Sequence, residues 1–284
     1  MLGLVRTFVF ASLMVVSAWL HASSQGAHAC SPLPGFDAAE GAQVVVFGDM
    51  HGTVESPAVF ARAACLFARQ RGAQPVVIGL ELPESFNAYF DALGHTPAEA
   101  IWQKARHDVF WSEFRDGRHS AAMYDLVHRL IDLSAKTKGS VHLLALARQP
   151  IDVEGARLLV DTMKSAAARR ALVLIGNAHA RMFRMDGQNS EPFARNVQDA
   201  GFSVLSLNAR AGGGYVWYCA PECEIHPFPP APEEGGVKIV VQPDATRQPW
   251  RGYYYVPEMT LSHPVDGGEL PRHTRPDKPS PASG

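Results

Sequence analysis

Five short apolar runs, separated by stretches with helical periodicity, constrain the fold of this chain more than any other feature. The runs are Gln43 to Phe47, Pro75 to Leu80, Val141 to Ala147, Ala171 to Ile175 and Phe202 to Leu207. Their apolar residues are consecutive rather than alternating, which is typical of strands covered by helices on both faces. The pattern predicts a doubly wound α/β fold whose mostly parallel sheet has about five strands.

Helical spacing fills the connections between these runs. The predicted helices begin at Ser56-Pro57, cover Met123 to Ile131 and cover Gly155 to Ala168. The longest connection, Glu84 to Arg118, is interpreted as a helical insertion of the kind that shapes a pocket or a lid. After Asn208, Tyr215 to Tyr218 and Val237 to Val241 predict added strands, for which an antiparallel arrangement is one option.

The first 29 residues have the pattern of a secretory signal peptide, with Arg6 before an apolar run and a small-x-small site at Ala27 to Ala29. The run, Thr7 to Leu20, is shorter than the roughly 20 residues that a membrane-spanning helix needs. We therefore expect an exported protein, periplasmic or secreted, without a permanent membrane span. Lipidation of Cys30 is the less favoured alternative.

The mature chain is expected to form one α/β domain over residues 30–261, and the Pro- and Gly-rich residues 262–284 are expected to be a disordered tail. The formal net charge is −2 and no basic stripe alternates with aromatic residues, which excludes the electrostatic footprint of nucleic-acid binding. The expected partner is a small-molecule or peptide substrate, and the oligomeric state is left open.

The four cysteines permit disulfides in an oxidising compartment. Cys219 and Cys223 are the best placed pair, because Pro221 turns the chain between them. Cys65 lies in an apolar helical pattern, which an ordinary buried thiol would explain.

A short internal repeat marks the candidate site. Gly48 to His51 and Gly176 to His179 are both Gly-x-x-His sequences that directly follow an apolar run. Ligands of open parallel sheets bind beyond the carboxyl ends of the strands, so both histidines are predicted to face one crevice. Glycine at the strand end allows a sharp turn and a close approach of substrate.

Charged residues follow other apolar runs and are therefore predicted to lie at the same carboxyl edge of the sheet. Glu81 follows the second run and Arg148 the third, and Asp49, Glu55 and Arg118 complete the set of candidates. Such a set suits hydrolysis: a histidine or carboxylate deprotonates water, and an arginine stabilises the developing oxyanion. A structural salt bridge between Glu81 and an arginine is the alternative, since a buried carboxylate is costly unless it is paired.

Four segments carry a resemblance to a known superfamily. They are Gly-Asp-Met-His-Gly-Thr-Val-Glu-Ser-Pro (48–57), Gly-Leu-Glu-Leu-Pro (79–83), Asp-Gly-Arg-His-Ser (116–120) and Gly-Asn-Ala-His-Ala (176–180). Over roughly residues 42–210 the chain resembles the superfamily that joins erythromycin esterases, Tiki-type proteases and ChaN-like haem-uptake lipoproteins. The resemblance implies a doubly wound fold with His51, His179 and Glu81 in one cleft. It also shows a departure, because Asp49 stands where the family usually has glutamate.

Three functions are weighed for this site. The first is an exported hydrolase that acts on an ester or a peptide, either directly or through zinc, manganese or cobalt bound by His51, His179 and Glu81. The second is a haem or iron-compound binding protein, for which Tyr215, Tyr218 or the run Tyr253 to Tyr255 would supply a ligand. The third is an inactive relative that keeps the fold and has lost activity through Asp49.

Overall fold

A computed structural model describes residues 30–69, 74–113, 116–187, 189–219, 222–231, 235–242 and 248–270. The chain divides into a short N-terminal unit, residues 1–31, and a compact unit, residues 32–284, to which every helix and strand below belongs. The signal peptide predicted for residues 1–29 lies outside the described residues. No helix of the described segments is both long enough and apolar enough to span a membrane.

Seven strands form the main sheet, in the order β3-β2-β4-β1-β5-β9-β8. The strands of the described residues are β1 (Val44–Asp49), β2 (Val76–Leu80), β3 (Val141–Ala145), β4 (Arg170–Gly176), β5 (Val204–Ala211), β6 (Tyr215–Cys219), β7 (Cys223–Pro227), β8 (Lys238–Val241) and β9 (Gly252–Val256). All neighbours in the main sheet are parallel except β8 and β9. The five predicted strands are thus confirmed as β1 to β5. A sixth parallel strand, β9, was not predicted.

Helices cover both faces of this sheet, as the consecutive apolar runs require. They are α1 (Glu55–Arg69), α2 (Asn87–Asp91), α3 (Ala98–Ala105), α4 (Phe110–Glu113), α5 (Ala121–Lys136), α6 (Ile151–Ser165) and α7 (Phe193–Asp199). The alternate residues of β1 pack to opposite sides: Val45 and Phe47 join the core under α1 and α5, whereas Val44 and Val46 join the core under α6 and α7. Both cores exclude water from the centre of the sheet.

One helix begins earlier than the sequence predicts. α6 begins at Ile151, four residues before the predicted start at Gly155, because Pro150 precedes its first turn and proline suits such a position. The insertion between β2 and α5 contains only short helices, held by an aromatic cluster in which the rings of Phe86, Phe110 and Trp111 meet edge to face. The predicted helical insertion is therefore present, as short helices joined by aromatic packing.

The C-terminal part of the domain extends further than expected. Beside the main sheet, the predicted strand β6 pairs antiparallel with β7, which was not predicted, and a disulfide between Cys219 and Cys223 closes the pair. The other predicted strand is β8, which pairs antiparallel with β9 at the edge of the main sheet. Cys65 is disulfide-bonded too, so its interpretation as a free buried thiol is wrong. Ser262 is 4% exposed and its carbonyl accepts a hydrogen bond from Trp217 Nε1 (2.8 Å). The predicted start of a disordered tail at residue 262 is therefore too early.

Candidate functional site

The two Gly-x-x-His turns meet at the carboxyl edge of the sheet. β2, β4 and β1 are neighbours, and Asp49 pairs in register with Gly176. A Cβ atom at Gly176 would lie 3.0 Å from Nε2 of His51, 3.1 Å from Oε2 of Glu81 and 3.4 Å from Cδ2 of His179. Both histidines and the predicted carboxylate thus share one small space, in which a side chain at residue 176 would crowd them.

His51 is held by the carboxylate two residues before it. Its Nδ1 lies 2.7 Å from Oδ2 of Asp49, and its Nε2 lies 3.9 Å from Oε2 of Glu81. Burial disfavours the imidazolium, but the negative charges of Asp49 and Glu81 outweigh it and raise the pKa of His51 to about 9. Although the side chain of Asp49 is short, it reaches the imidazole at hydrogen-bond distance.

Glu81 is fixed through both of its carboxylate oxygens. Oε1 accepts from Nη1 of Arg118 (3.1 Å) and Oε2 accepts from the backbone N–H of Gly176 (2.6 Å). The side chain is buried beside Nε2 of His51. Glu81 therefore forms the salt bridge with an arginine that was the alternative to a site role, and it also lies beside His51.

Arg118 reaches Glu81 because two glycines bring its turn against the turn that follows β1. A Cβ atom at Gly117 would collide with backbone atoms of Gly52, His51 and Trp217. The guanidinium of Arg118 also binds Asp116, which sequence reasoning did not single out (Nη2 to Oδ2, 2.5 Å). Burial of Asp116 opposes its ionisation, but hydrogen bonds from His119 and Arg118 hold its pKa well below the usual range.

His179 has a carboxylate partner that the sequence did not indicate. Its Nδ1 lies 2.7 Å from Oδ1 of Asp152, in the first turn of α6, and the N–H of Phe193 donates to the same oxygen (2.8 Å). Burial lowers the pKa of His179, yet the hydrogen bond to Asp152 and the charge of Glu81 leave it raised. An acidic residue in a first helical turn is so common that the sequence offered no separate signal for Asp152.

Two predicted candidates bind elsewhere. The guanidinium of Arg148 forms an ion pair with Glu84. Glu55 accepts hydrogen bonds from Thr260 through its backbone N–H (2.8 Å) and its hydroxyl. Each is satisfied by a partner outside the group formed by His51, Glu81, Arg118 and His179.

The residues present do not fit a divalent metal ion well. Both oxygens of Glu81 already accept from protein donors, and the guanidinium of Arg118 supplies positive charge beside them. Among the described residues, no group of three or more His, Cys, Asp or Glu side chains has an arrangement for a metal ion. The tentative metal set of His51, His179 and Glu81 is therefore unsupported by the geometry of its donors.

The tyrosines considered for haem lie in different settings. Tyr253, Tyr254 and Tyr255 are all buried within β9, so none lies on an open surface. Tyr218 stacks on His226 (ring centroids 4.2 Å apart), and Tyr215 is exposed at the start of β6. The run in β9 is therefore part of the core of the domain.

A cavity of about 400 Å³ adjoins the site. Met50, next to His51, and Asn177, next to Gly176, lie in its wall, together with Tyr218 and Trp250. His51, Glu81, Arg118 and His179 are not among its lining residues, so the cavity lies beside the two turns and is separate from the group of site side chains.

Comparisons with known proteins add only distant likenesses. No family model and no curated protein matches the chain. Among solved structures it is similar to the type III effector HopBA1, with 14% identity, 78% of this chain and 91% of that chain covered, and a TM-score of 0.48. It is also similar to a succinoglycan biosynthesis protein (8% identity, 80% and 90% covered, TM-score 0.49) and to a Bacillus cereus protein (8%, 78% and 90%, 0.49).

Proposed function

We propose that this protein is an exported hydrolase that cleaves an ester by acid–base catalysis, in the manner that its resemblance to the erythromycin esterase, Tiki and ChaN-like superfamily implies. One observation carries the proposal. Two histidines, each held at Nδ1 by a carboxylate, converge on Gly176 together with Glu81. A carboxylate at Nδ1 fixes the tautomer and the orientation of an imidazole, which leaves Nε2 for the reacting atoms.

The gap between His51 and Glu81 gives a place for the nucleophilic water. Their Nε2 and Oε2 atoms are 3.9 Å apart, too far for a direct hydrogen bond and suitable for a bridging oxygen. Neutral His51 takes a proton from this water at Nε2, and the hydroxide forms a bond to the ester carbonyl carbon. The carbonyl electron pair moves to its oxygen, which Arg118 and protonated His179 stabilise.

The second half of the reaction returns the proton. When the oxyanion collapses, the bond from carbon to the alkoxy oxygen breaks, and that oxygen takes the proton now carried by His51. Asp49 stabilises the intermediate imidazolium throughout, as its effect on the pKa of His51 indicates. Arg148 and Glu55 have no part in this scheme.

The test is hydrolysis of 4-nitrophenyl acetate and a panel of acetyl esters by the purified mature protein, compared with His51→Gln and His179→Gln variants. Loss of the general base, His51, or of the oxyanion-stabilising His179 is expected to reduce kcat by about 100-fold or more. His128→Gln is the matched control, because His128 stacks on Trp102 in the α3 and α5 layer and is absent from the site contacts. Equal rates for wild type and both site variants would overturn the proposal.

Export is part of the proposal and is supported by the disulfide between Cys219 and Cys223, since such bonds persist mainly in oxidising compartments. Mass spectrometry of the protein from its native host would locate the mature N-terminus. We expect it at Cys30 without a lipid. A chain that retains residues 1–29 in the cytoplasm would refute this part.

A further inference from the structure

Tyr254 is fully buried in β9, the parallel strand that the sequence did not predict. Its ring packs against Phe47 of β1, with centroids 5.7 Å apart. Its hydroxyl donates to the carbonyl of Gly48 (2.8 Å), the residue that opens the first Gly-x-x-His turn. The same hydroxyl lies 2.8 Å from Oγ of Ser56. Through Gly48 and Ser56, the buried phenol of Tyr254 thus connects β9 to the turn that carries His51.

The number of hydroxyl protons on Tyr254 and Ser56 determines which group donates in each of these two hydrogen bonds. A tyrosine hydroxyl has a single proton, which goes to Gly48, so the hydroxyl of Ser56 must donate to Tyr254. Ser56 Oγ in turn accepts from the backbone N–H of Met50 (3.3 Å). The chain of donors therefore runs from the N–H of Met50, through Ser56 and Tyr254, to the carbonyl of Gly48.

The two backbone groups at the ends of this series of hydrogen bonds lie on either side of Asp49. The Gly48 carbonyl and the Met50 N–H belong to the two peptide groups on either side of it. The ladder with β5 ends at Phe47, whereas the ladder with β4 continues to Asp49. The hydroxyls of Tyr254 and Ser56 thus take the place of strand partners where β1 leaves β5, and Thr53 adds a hydrogen bond to the Met50 carbonyl (2.8 Å).

We infer that Tyr254 is a positioning residue, which acts through Ser56 to fix the backbone around Asp49 and so to hold the Asp49 carboxylate against His51. The role rests on the proposed function of His51 as the base. The Asp49 carboxylate lies two bonds from its backbone, so fixing that backbone stabilises the 2.7 Å contact of the carboxylate with Nδ1 of His51. Burial raises the pKa of Tyr254 well above its ordinary range, so the hydroxyl stays a donor at every working pH.

The test is Tyr254→Phe, which removes the hydroxyl and keeps the ring. Two readouts are compared with wild type: the pH titration of the His51 imidazole by NMR, and kcat and KM for 4-nitrophenyl acetate. We expect His51 to titrate at a lower pH, because its contact with Asp49 is loosened, and kcat to fall about tenfold with little change in KM. Ser56→Ala is expected to act in the same way, and Ser56→Thr, which keeps a hydroxyl, to restore most of both values.

Tyr255→Phe is the matched control, since Tyr255 is the next residue of the same strand and is also buried. It is expected to leave both readouts unchanged. The inference is overturned if Tyr254→Phe and Ser56→Ala keep the wild-type titration of His51, or if Tyr255→Phe changes it equally. The titration needs no substrate, so a protein that hydrolyses no ester but shows the shift would refute the proposed function alone.

Discussion

Asp49 decides at which pH His51 is a base. The imidazole is partly protonated well above neutrality, because the charge of Asp49 and its hydrogen bond outweigh the effect of burial and raise the pKa of His51 to about 9. If neutral His51 is the base and protonated His179 stabilises the oxyanion, kcat/KM for an ester should rise with pH as His51 loses its proton and fall once His179 loses its own. A rate that is independent of pH between roughly 6 and 10 would contradict this.

Asp49→Asn should move this dependence. Without the negative charge, burial is the main remaining influence on His51, so its pKa falls and the limb of the pH–rate profile shifts by one pH unit or more towards acid. The limiting rate should also drop by about 100-fold, because an amide stabilises an imidazolium poorly. Steady-state rates between pH 5 and 10 would measure both changes, with Asp161→Asn, on the surface of α6, as the control.

Because Gly176 has no side chain, His51, Glu81 and His179 can lie close together above it. The Cβ of Gly176→Ala would lie 3.0 Å from Nε2 of His51 and 3.1 Å from Oε2 of Glu81, so both groups must move. We expect activity to fall by at least 100-fold, while the free energy of unfolding falls by about 1–3 kcal/mol. Gly41→Ala is the matched control, since nothing lies within 4 Å of its added Cβ. A Gly176→Ala variant of full activity would mean that the enclosed space is not where the chemistry occurs.

At the scale of elements, the turn that carries Arg118 is held against the turn after β1 by contacts between backbones. A Cβ atom at Gly117 would meet only backbone atoms of Gly52, Trp217 and His51, none of which can rotate away. Gly117→Ala should therefore separate the two turns, break the ion pair of Arg118 with Glu81 and lower kcat more than it raises KM. Kinetics beside chemical denaturation would measure this, and a change in stability alone would contradict it.

The elements also show what sequence reasoning could predict. The strands β1 to β5 are predictable because each is buried on both faces and hence continuously apolar. The convergence of His51, His179 and Glu81 follows, since parallel strands place their carboxyl ends on one edge. β9 was not predicted because Tyr253 to Tyr255 resemble exposed aromatic ligands as much as a strand. Asp152 meets His179 through a tertiary contact, and such a partner leaves no local pattern in the sequence. Asp116 contacts Arg118 and His119 two and three residues further on, so the segment Asp-Gly-Arg-His contained a local signal for it.

At the scale of the whole molecule, the charges of the site should set the pH range of greatest stability. The pKa of His51 rises on folding from its ordinary 6.5 to about 9, so its contribution to stability is complete below 6.5 and is lost as the pH rises through about 9. His179 acts in the same direction. The pKa of Asp116 falls on folding from its ordinary 3.8, so its contribution is complete above that pH and is lost in acid. Together these groups favour the folded state most between 3.8 and 6.5.

Chemical denaturation at pH 6 and at pH 9.5 isolates the part due to His51. A shift of one pKa unit corresponds to about 1.4 kcal/mol, so His51 is expected to account for a loss of up to about 3 kcal/mol in the free energy of unfolding between the two conditions. In His51→Gln this loss should be much smaller, because glutamine does not titrate, whereas His128→Gln should retain the wild-type difference. Parallel pH dependences for wild type and His51→Gln would mean that His51 is neutral in the folded protein, and that the charges of Asp49 and Glu81 do not outweigh its burial.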